Sequence, residues 1–249
     1  MKTSIIIPSR MASSRLPEKP LADIFGKSLV MRVYGQAVKV PSADEVIVAT
    51  DHKVIFDHVI AHGGKAVMTS PDHQSGTDRV AEVTRSLNSD IIINLQGDEP
   101  LIHPGQIEDL IHLMKEENVQ IGTQCQRLTD PDLLFDYNVV KVVRDDNDKA
   151  LYFSRQAIPA IRDAGYGQWI SLTPYYRHIG LYGFKKDILH RITALPSSTY
   201  EKVESLEQLR WLQHGFTVYC KVTDYASVGV DTPEDLERVR DLFFREMLR

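Results

Sequence analysis

Residues 5–21 read IIIPSRMASSRLPEKPL, and the fold is best worked out from this stretch. Its branched apolar run is unbroken and stops at Pro8, which predicts a short buried strand. The polar segment after it then lies at the carboxyl end of that strand, where open α/β sheets bind ligands. Arg10, Arg15 and Lys19, with serine hydroxyls and backbone N–H groups, suit a polyanion such as a triphosphate. A solvated basic loop is the alternative, but the position after the first strand favours phosphate binding.

Composition limits the classes of partner. The chain has 249 residues, 43% hydrophobic and 25% charged, which is ordinary for a soluble globular protein and fits one large α/β domain or two small ones. A formal charge of −5 and a pI near 6.0 argue against general binding to nucleic acid or to anionic membranes. We therefore expect small-molecule substrates, with no nucleic-acid or membrane partner.

Cysteine usage and the N-terminus bear on the compartment. Cys125 and Cys220 form no disulfide framework and no metal cluster, which suits a reducing environment. The N-terminus has one lysine, a short apolar run and then charge, unlike a signal peptide. Apolar runs are all shorter than a membrane span. These features predict a cytoplasmic protein.

Apolar runs alternate with amphipathic segments along the first half. Strands are predicted over 5–7, 45–50, 65–69 and 90–95, and helices over 29–38, 54–62, after 76 and from Pro104. This alternation predicts a parallel sheet with helices on both faces. The second half is less regular, with strands predicted over 121–128, 139–144, 150–154, 178–185 and 216–222 and helices over 200–213 and 234–248. We expect one α/β domain over 1–249 with a mixed, mostly parallel sheet, and a functional loop or cover over 159–177.

Two phosphate motifs are excluded. Gly26-Lys27-Ser28 looks like the end of a P-loop, but Leu21 stands where the motif needs glycine, and a loop precedes it rather than a strand. We interpret it as a turn followed by a helix capped by Ser28. The glycine fingerprint of dinucleotide-binding dehydrogenases does not follow the first strand.

Two acids are candidate metal ligands. Asp98 comes directly after the predicted strand over 90–95, so it should lie at the carboxyl edge of the sheet. Asp231 precedes a predicted helix that starts near Pro233, and Asp231 or Thr232 could simply cap that helix. Near a triphosphate loop, the two carboxylates would hold Mg²⁺. The nine histidines show no metal-binding spacing, and no residues form a nucleophilic pair.

Ten short motifs follow one another along nearly the whole chain. They are Ile7-Pro8-Ser9-Arg10, Ser14-Arg15-Leu16-Pro17, Lys19-Pro20-Leu21, Val48-Ala49-Thr50-Asp51, His73-Gln74-Ser75-Gly76-Thr77, Asn94-Leu95-Gln96-Gly97-Asp98-Glu99-Pro100, Tyr152-Phe153-Ser154-Arg155, Arg177-His178-Ile179-Gly180, Glu204-Ser205-Leu206-Glu207-Gln208-Leu209-Arg210 and Gly229-Val230-Asp231-Thr232-Pro233-Glu234-Asp235-Leu236. Together, at this spacing, they closely resemble the 3-deoxy-manno-octulosonate (Kdo) cytidylyltransferase family, the CMP-Kdo synthetases.

The resemblance implies a Rossmann-like nucleotide-diphospho-sugar transferase fold, Mg²⁺ as cofactor, and a homodimer. Its irregular pattern makes the region 130–180 our candidate for the dimer interface or for a substrate cover. It implies cytidylyl transfer from CTP to the anomeric hydroxyl of Kdo, giving CMP-Kdo and pyrophosphate for lipopolysaccharide biosynthesis. A related acid sugar, 8-amino-Kdo or a sialic acid, is the alternative acceptor. A non-catalytic nucleotide-binding module is the alternative class, and the presence of both Asp98 and Asp231 argues against it.

The resemblance also implies roles for individual residues. The nucleotide-binding set is Pro8, Ser9, Arg10, Ser14, Arg15, Lys19, Ser75, Gly76, Thr77 and Arg79. The catalytic set is Lys19, Asp98 and Asp231, of which Asp98 and Asp231 bind the metal. The sugar-binding set is Gln96, Arg155, His178, Tyr182, Glu204, Glu207 and Gln208. Ser9, Glu18 and Asp78 depart from the family pattern, and Glu18, where glycine is common, would weaken CTP binding slightly unless its side chain points to solvent.

Overall fold

A computed structural model describes residues 1–12, 15–225 and 228–247. The chain forms two compact units. The first comprises Met1–His112 and Ala226–Arg249, and the second comprises Leu113–Tyr225. The assignment of 1–249 to one domain stays a prediction.

The first unit is built on parallel strands. Its strands are β1 (Thr3–Ser9), β2 (Asp23–Ile24), β3 (Lys27–Ser28), β4 (Glu45–Thr50), β5 (Ala66–Met68) and β6 (Ile91–Asn94). Strand β1 pairs in parallel with β4 and β6, and β4 pairs in parallel with β5, whereas β2 and β3 form a separate hairpin. The run Ile5, Ile6 and Ile7 is completely buried, because helices cover the sheet. The predicted parallel strands are confirmed.

Strand β1 runs beyond its predicted end. It continues through Pro8 to Ser9, which pair with Ala49 and Thr50 of β4. Proline is tolerated here because β1 pairs with β6 only as far as Ile6, so Pro8 lies beside an unpaired edge on that side. The polar loop therefore leaves directly from the carboxyl edge of the sheet, as the sequence predicts.

Helices alternate with these strands. They are α1 (Leu29–Ala37), α2 (Lys53–Ala61), α3 (Gly76–Thr84) and α4 (Pro104–Lys115). Helices α1 and α3 contact β1, and α2 contacts β4 and β5. The Ser28 hydroxyl caps α1 by accepting the Met31 N–H at 3.4 Å. The interpretation of Gly26-Lys27-Ser28 as a turn and a helix cap is confirmed.

The second unit mixes parallel and antiparallel strands. Its elements are β7 (Ile121–Arg127), α5 (Pro131–Phe135), β8 (Lys141–Arg144), β9 (Ala150–Ser154), α6 (Trp169–Leu172), β10 (Tyr176–Lys185), α7 (Lys186–Thr193), α8 (Thr199–Glu204), α9 (Gln208–Gln213) and β11 (Val218–Val222). Strand β7 pairs in parallel with β11 and antiparallel with β10, and β8 and β9 form a hairpin. The mixed sheet of the prediction is confirmed.

The prediction of one helix over 200–213 is wrong. Helices α8 and α9 are separated at Ser205, which has φ 53° and lies in the left-handed region. The carbonyls that would continue the helix are used elsewhere: Arg155 donates to the carbonyl oxygens of Glu204 at 2.7 Å and of Ser205 at 3.4 Å. A tertiary contact therefore overrides the helical pattern of the sequence.

The segment predicted as a loop over 159–177 has structure of its own. It contains a 3₁₀ turn at Tyr166–Gln168 and the short helix α6. Trp169 and Tyr175 are buried in a cluster with Leu128 and Leu134. The segment is therefore not an irregular loop, because its aromatic side chains make a local hydrophobic core, and its role as a cover stays a prediction.

Lys141 is an unusual buried charge at the start of β8. Its side chain is inaccessible to solvent, and Nζ donates to the carbonyl oxygens of Asp136 at 2.8 Å, Val139 at 2.6 Å and Arg155 at 2.6 Å. Burial lowers the pKa of Lys141, because desolvation penalises the charged form. The ammonium ties the segment before β8 to the end of β9.

The final helix, α10 (Pro233–Met247), returns to the first unit. Leu236, Val239 and Phe243 pack against Ile24 and Leu29. This apolar face confirms the predicted closing helix. It also fixes the position of the residues just before α10, which include Asp231.

Among the residues that the structure describes, no helix is long and apolar enough to cross a membrane.

Candidate active site

A cavity of about 400 Å³ lies in the first unit, at the carboxyl ends of β1 and β6 and beside the start of α3. Eleven residues of the predicted sets line it. They are Pro8, Ser9, Arg10, Arg15, Lys19, Ser75, Gly76, Arg79, Gln96, Asp98 and Asp231. Residues from four separate parts of the chain therefore converge at one sheet edge, which is the usual ligand position in open α/β folds.

Lys19 bridges the two predicted metal ligands. Its Nζ lies 2.8 Å from Asp98 Oδ2 and 2.9 Å from Asp231 Oδ1. Arg15 adds a second cation 3.2 Å from Asp231 Oδ1. Burial by itself would lower the pKa of Lys19, but the carboxylates of Asp98 and Asp231 outweigh it and raise that pKa. The site thus holds two carboxylates and two cations in direct contact.

Asp231 does not cap helix α10. Thr232 caps it, because its Oγ1 accepts the Asp235 N–H at 3.2 Å while the Asp235 carboxylate accepts the Thr232 N–H at 3.0 Å. The Val230 N–H donates to the Asp98 carbonyl oxygen at 2.8 Å. Because Thr232 caps the helix, the Asp231 side chain is directed at Lys19. The structure therefore assigns the capping role to Thr232 and not to Asp231.

Two glycines let backbone segments approach closely beside the cavity. A Cβ on Gly97 would lie 3.1 Å from the Pro8 carbonyl oxygen, and one on Gly76 would lie 3.3 Å from Pro8 Cγ. Gly76 starts α3, which Ser75 caps by accepting the Asp78 N–H. The backbone N–H groups at the start of α3 therefore lie next to the loop after β1, where phosphate oxygens suit them.

Not every predicted nucleotide residue faces the cavity. Thr77 is buried and its Oγ1 accepts from Asn94 Nδ2 at 3.4 Å. Arg79 lines the cavity but is only 4% exposed, and its guanidinium donates to Asp51 Oδ2 at 2.7 Å and to Thr69 Oγ1. Arg79 therefore joins α3 to the residues directly after β4 and β5, and a contact with the nucleoside stays a prediction. Ser14 lies outside the described residues.

His73 is a cavity residue that the sequence did not assign to the site. Its Nε2 contacts the Glu82 carboxylate, which also accepts the Ser70 N–H at 3.0 Å. The hydrogen bond from His73 is the main cause that lowers the pKa of Glu82. The pair joins a loop to a helix across nine positions, a separation that no sequence motif marks. Glu82 thereby holds the loop that carries His73 and Ser75.

Glu18 has a backbone conformation that glycine adopts more easily than glutamate. Its φ is 52°, in the left-handed region that favours glycine. The residue is exposed, and the Leu21 N–H donates to its carbonyl oxygen at 2.8 Å. The cost at Glu18 is therefore backbone strain rather than a carboxylate buried in the cavity.

Most of the predicted sugar residues lie in the second unit, whereas Gln96 lines the cavity of the first. Arg155 and Glu204 form the centre of the group. The Glu204 carboxylate accepts the Arg155 backbone N–H at 2.9 Å and the Ser154 hydroxyl at 2.7 Å, and Arg155 Nε donates to the Glu204 carbonyl oxygen. Arg155 Nη1 also donates to the Tyr137 carbonyl oxygen at 3.0 Å. The two residues fix each other.

His178 has one defined tautomer. Its Nε2 lies 2.9 Å from Thr123 Oγ1, and that hydroxyl lies 2.8 Å from the Leu181 carbonyl oxygen. A hydroxyl has a single proton, and a carbonyl only accepts, so Thr123 donates to Leu181 and His178 Nε2 donates to Thr123. Nε2 therefore carries a proton, and in the neutral imidazole that burial favours Nδ1 is an acceptor.

The neutral state of His178 gives a pH prediction. Desolvation lowers the pKa of His178 to about 3, and the ring packs edge-on to Phe153. We expect its ¹⁵N resonances to show neutral imidazole at pH 5. The unfolded chain takes up this proton near pH 6.5, whereas the folded protein takes it up only near pH 3. The contribution of His178 to the free energy of unfolding is therefore fully present above pH 6.5. It falls by ~1.4 kcal/mol per pH unit between pH 6.5 and about pH 3.

The His178→Gln spectrum assigns the resonance, and the same protein unfolded in urea serves as the control, in which His178 should titrate normally. A His178 imidazole that is protonated at pH 5 in the folded protein would contradict this prediction.

The remaining sugar residues surround an aromatic cluster. Tyr182 is buried, packs edge-on to Trp211 with centroids 5.1 Å apart, and its hydroxyl has no hydrogen-bond partner in the described part of the chain. Burial raises the pKa of Tyr182. Gln208 is also buried, and Glu207 pairs with Arg210 at 2.8 Å. A buried hydroxyl without a partner requires an explanation, and a bound ligand or an ordered water would provide one.

The cavity's two carboxylates fit Mg²⁺. Within 1–12, 15–225 and 228–247, no cluster of three or more histidine, cysteine or acidic residues could hold a metal ion. Mg²⁺ does not need such a cluster, because it keeps several waters and binds through one or two carboxylates together with substrate phosphates. Asp98 and Asp231, which share one ammonium, supply oxygen ligands of this kind.

Comparisons with known proteins agree with one another. A family model described as Cytidylyltransferase matches residues 4–221. Proteins named 3-deoxy-manno-octulosonate cytidylyltransferase are 46% identical over 244 residues in Parabacteroides distasonis, covering 96% of both chains, and 47% identical over 245 residues in Thermodesulfovibrio yellowstonii, covering 95% of this chain and 96% of that one. A solved structure described as CMP:2-keto-3-deoxy-manno-octonic acid synthetase complexed with CTP has a TM-score of 0.93 and 42% identity, covering 99% of this chain and 100% of that chain.

Proposed function

Because this chain belongs to the 3-deoxy-manno-octulosonate cytidylyltransferase family, we infer that the cavity at the carboxyl edge of β1 and β6 is its active site. The protein transfers the cytidylyl group of CTP to Kdo, giving CMP-Kdo and pyrophosphate. The observation that carries the assignment of the site is the contact of Lys19 with both Asp98 and Asp231. It joins the triphosphate loop to the proposed metal ligands.

The nucleotide-binding residues act by position and charge. Arg10, Arg15 and Lys19 lie after β1, where their cations would hold and neutralise the triphosphate. The start of α3 at Gly76 directs backbone N–H groups toward the same anion. Transfer at phosphorus needs positioning and charge stabilisation rather than a protein nucleophile. The cations that line the cavity fit this requirement.

Asp98 and Asp231 would hold Mg²⁺. When bound, the ion would neutralise charge on the α-phosphate and lower the pKa of the attacking hydroxyl. The carboxylates of this chain would fix the ion beside the triphosphate loop, while Lys19 stays within reach of both carboxylates and phosphate.

The sugar-binding residues would provide complementary groups for an acidic sugar. The Arg155 guanidinium has further N–H groups that are not used in the hydrogen bonds described above. A guanidinium pairs well with a carboxylate such as that of Kdo. His178 Nδ1 accepts and Tyr182 donates, which suits sugar hydroxyls. Glu204, Glu207, Gln208 and Gln96 complete the proposed set.

We also propose a cytoplasmic homodimer that serves lipopolysaccharide synthesis. Cys125 and Cys220 are both free, which fits a reducing compartment. Exposed aromatic residues such as Tyr137 and Tyr166, 60% and 70% exposed, lie in the irregular region 130–180 and support it as the dimer interface. Sedimentation equilibrium that reports only a monomer would remove the dimer proposal.

The function is tested by pyrophosphate release from CTP and Mg²⁺ with different acceptors. We expect release that requires Kdo, stops with EDTA and fails with UTP. Release with Kdo omitted, or an equal rate with UTP, would contradict the reaction proposed for this site. The chain without acceptor is the background control.

The acceptor arms separate the alternatives. Release only with sialic acid or only with 8-amino-Kdo would keep the chemistry and replace the sugar. Absence of release with every acceptor, together with stabilisation by CTP in a thermal-shift assay, would favour a nucleotide-binding module instead.

A further inference from the structure

We propose that the Lys19 ammonium is an internal counter-cation for Asp98 and Asp231, so that a divalent cation enters the site only together with the triphosphate. The proposal rests on the proposed function, because it takes the two carboxylates as the metal ligands. It adds an order of assembly and a second role for Lys19. In the nucleotide-free protein, Lys19 excludes the metal, and in the complex it binds phosphate.

The position of the ammonium is the first support. Lys19 Nζ lies 2.8 Å from Asp98 and 2.9 Å from Asp231, and the Lys19 side chain is only 15% exposed. Charge-assisted hydrogen bonds of this length are strong when the donor is shielded from water. A dication that takes the same carboxylates must displace the ammonium or accept repulsion from it.

The charge balance of the site is the second support. Asp98 and Asp231 contribute two negative charges, and Lys19 and Arg15 contribute two positive charges in direct contact with them. The sum of these four charges is zero and Arg10 adds a further cation to the lining, so the site holds no excess negative charge to attract a metal ion. A bound triphosphate brings several negative charges of its own, which then favour both the metal ion and the release of Lys19 toward phosphate.

The local backbone allows this exchange without a change of fold. Lys19 begins a short 3₁₀ turn, Lys19–Leu21, that is held by hydrogen bonds from Leu21 N–H to the Glu18 carbonyl oxygen at 2.8 Å and from Ala22 N–H to the Lys19 carbonyl oxygen at 3.1 Å. Pro20 is buried and stiffens the turn. Only the flexible four-carbon stem of Lys19 has to rotate.

The test is Mn²⁺ binding to the nucleotide-free protein, measured by electron paramagnetic resonance of free Mn²⁺. We expect Lys19→Met to bind Mn²⁺ about tenfold or more tightly than the unmodified protein, because removal of the ammonium leaves Asp98 without its cation and Asp231 paired only with Arg15. Lys27→Met is the matched control, since Lys27 is an exposed lysine of the same unit and its loss changes the net charge equally. It should bind Mn²⁺ like the unmodified protein.

Two further variants locate the effect. Lys19→Met with Asp98→Asn should lose the gained affinity, because one of the two carboxylates is then neutral. Lys19→Gln, which keeps a polar side chain without the charge, should show the same gain as Lys19→Met and serves if the methionine variant unfolds.

An unchanged Mn²⁺ affinity in folded Lys19→Met or Lys19→Gln would overturn the proposal. It would leave the proposed function untouched if pyrophosphate release by the unmodified protein still requires Kdo and a divalent cation. A gain in affinity that persists in the double variant would also overturn it, because the metal would then bind elsewhere.

Discussion

Asp98→Asn is expected to lower the turnover of CTP and Kdo by more than about a hundredfold, the loss typical when one group that stabilises transition-state charge is removed from an active site. Asparagine has nearly the same shape as aspartate but no charge. Its side-chain oxygen can still accept from Lys19, so the local structure should persist. What is lost is the negative charge that holds Mg²⁺ beside the phosphates.

Asp231→Asn should have the same effect, because Asp231 makes the matching contact with Lys19 from the other side. Pyrophosphate release at saturating Kdo measures both variants, and the thermal midpoint confirms that each is folded. Asp57→Asn is the matched control. Asp57 is 55% exposed and pairs with Lys53 at 2.7 Å on α2, so the same charge is removed from the same kind of pair away from the cavity. Either site variant keeping most of its rate would remove the metal assignment.

Lys141→Met is expected to reduce the free energy of unfolding by about 3 kcal/mol, because loss of the ammonium leaves backbone carbonyls without their donor and each such loss costs about 1–3 kcal/mol. The carbonyl oxygens of Val139 and Arg155 lose this donor, whereas that of Asp136 still accepts the Val139 N–H at 3.2 Å. Methionine fills a similar volume, so the change is one of hydrogen bonding and charge rather than of packing.

Guanidinium unfolding measures the effect as a lower midpoint. Lys221→Met is the control, since Lys221 lies exposed on β11 in the same unit and has the same charge. A midpoint for Lys141→Met equal to that of Lys221→Met would show that the three carbonyls find other partners, and that Lys141 does not hold the segment before β8.

The parallel half of the fold follows from simple patterns. Ile5, Ile6 and Ile7 form a branched run that only a buried strand accommodates, and β4 begins and ends at the residues predicted, Glu45 and Thr50. Asp98 is found at the sheet edge because the strand before it ends where its apolar run ends. Local sequence and tertiary structure agree in these places.

The errors arise where long-range contacts decide the structure. The helical period over 200–213 is strong, yet Arg155 takes the carbonyl oxygens of Glu204 and Ser205 and the helix breaks. A lysine in a strand is normally exposed, so nothing in the sequence marks Lys141 as buried. The contact of His73 with Glu82 joins a loop to a helix and has no local pattern either.

The sequence predicts which residues form the site better than it predicts how they are arranged. The cations of the loop and the two acids are identified from their positions after strands and before a helix. The sequence does not predict that Lys19 contacts both acids, because Lys19 and Asp231 are separated by 212 positions and meet only in the folded chain.

The discontinuity of the first unit has a consequence for the newly made protein. Residues of the N-terminal half leave the ribosome first, and they include the triphosphate loop, Lys19 and Asp98. Asp231 and helix α10, which packs on Ile24 and Leu29, are translated only after the whole second unit. A nascent chain therefore has half of its carboxylate pair until the second unit has been translated, and the site can be completed only after that.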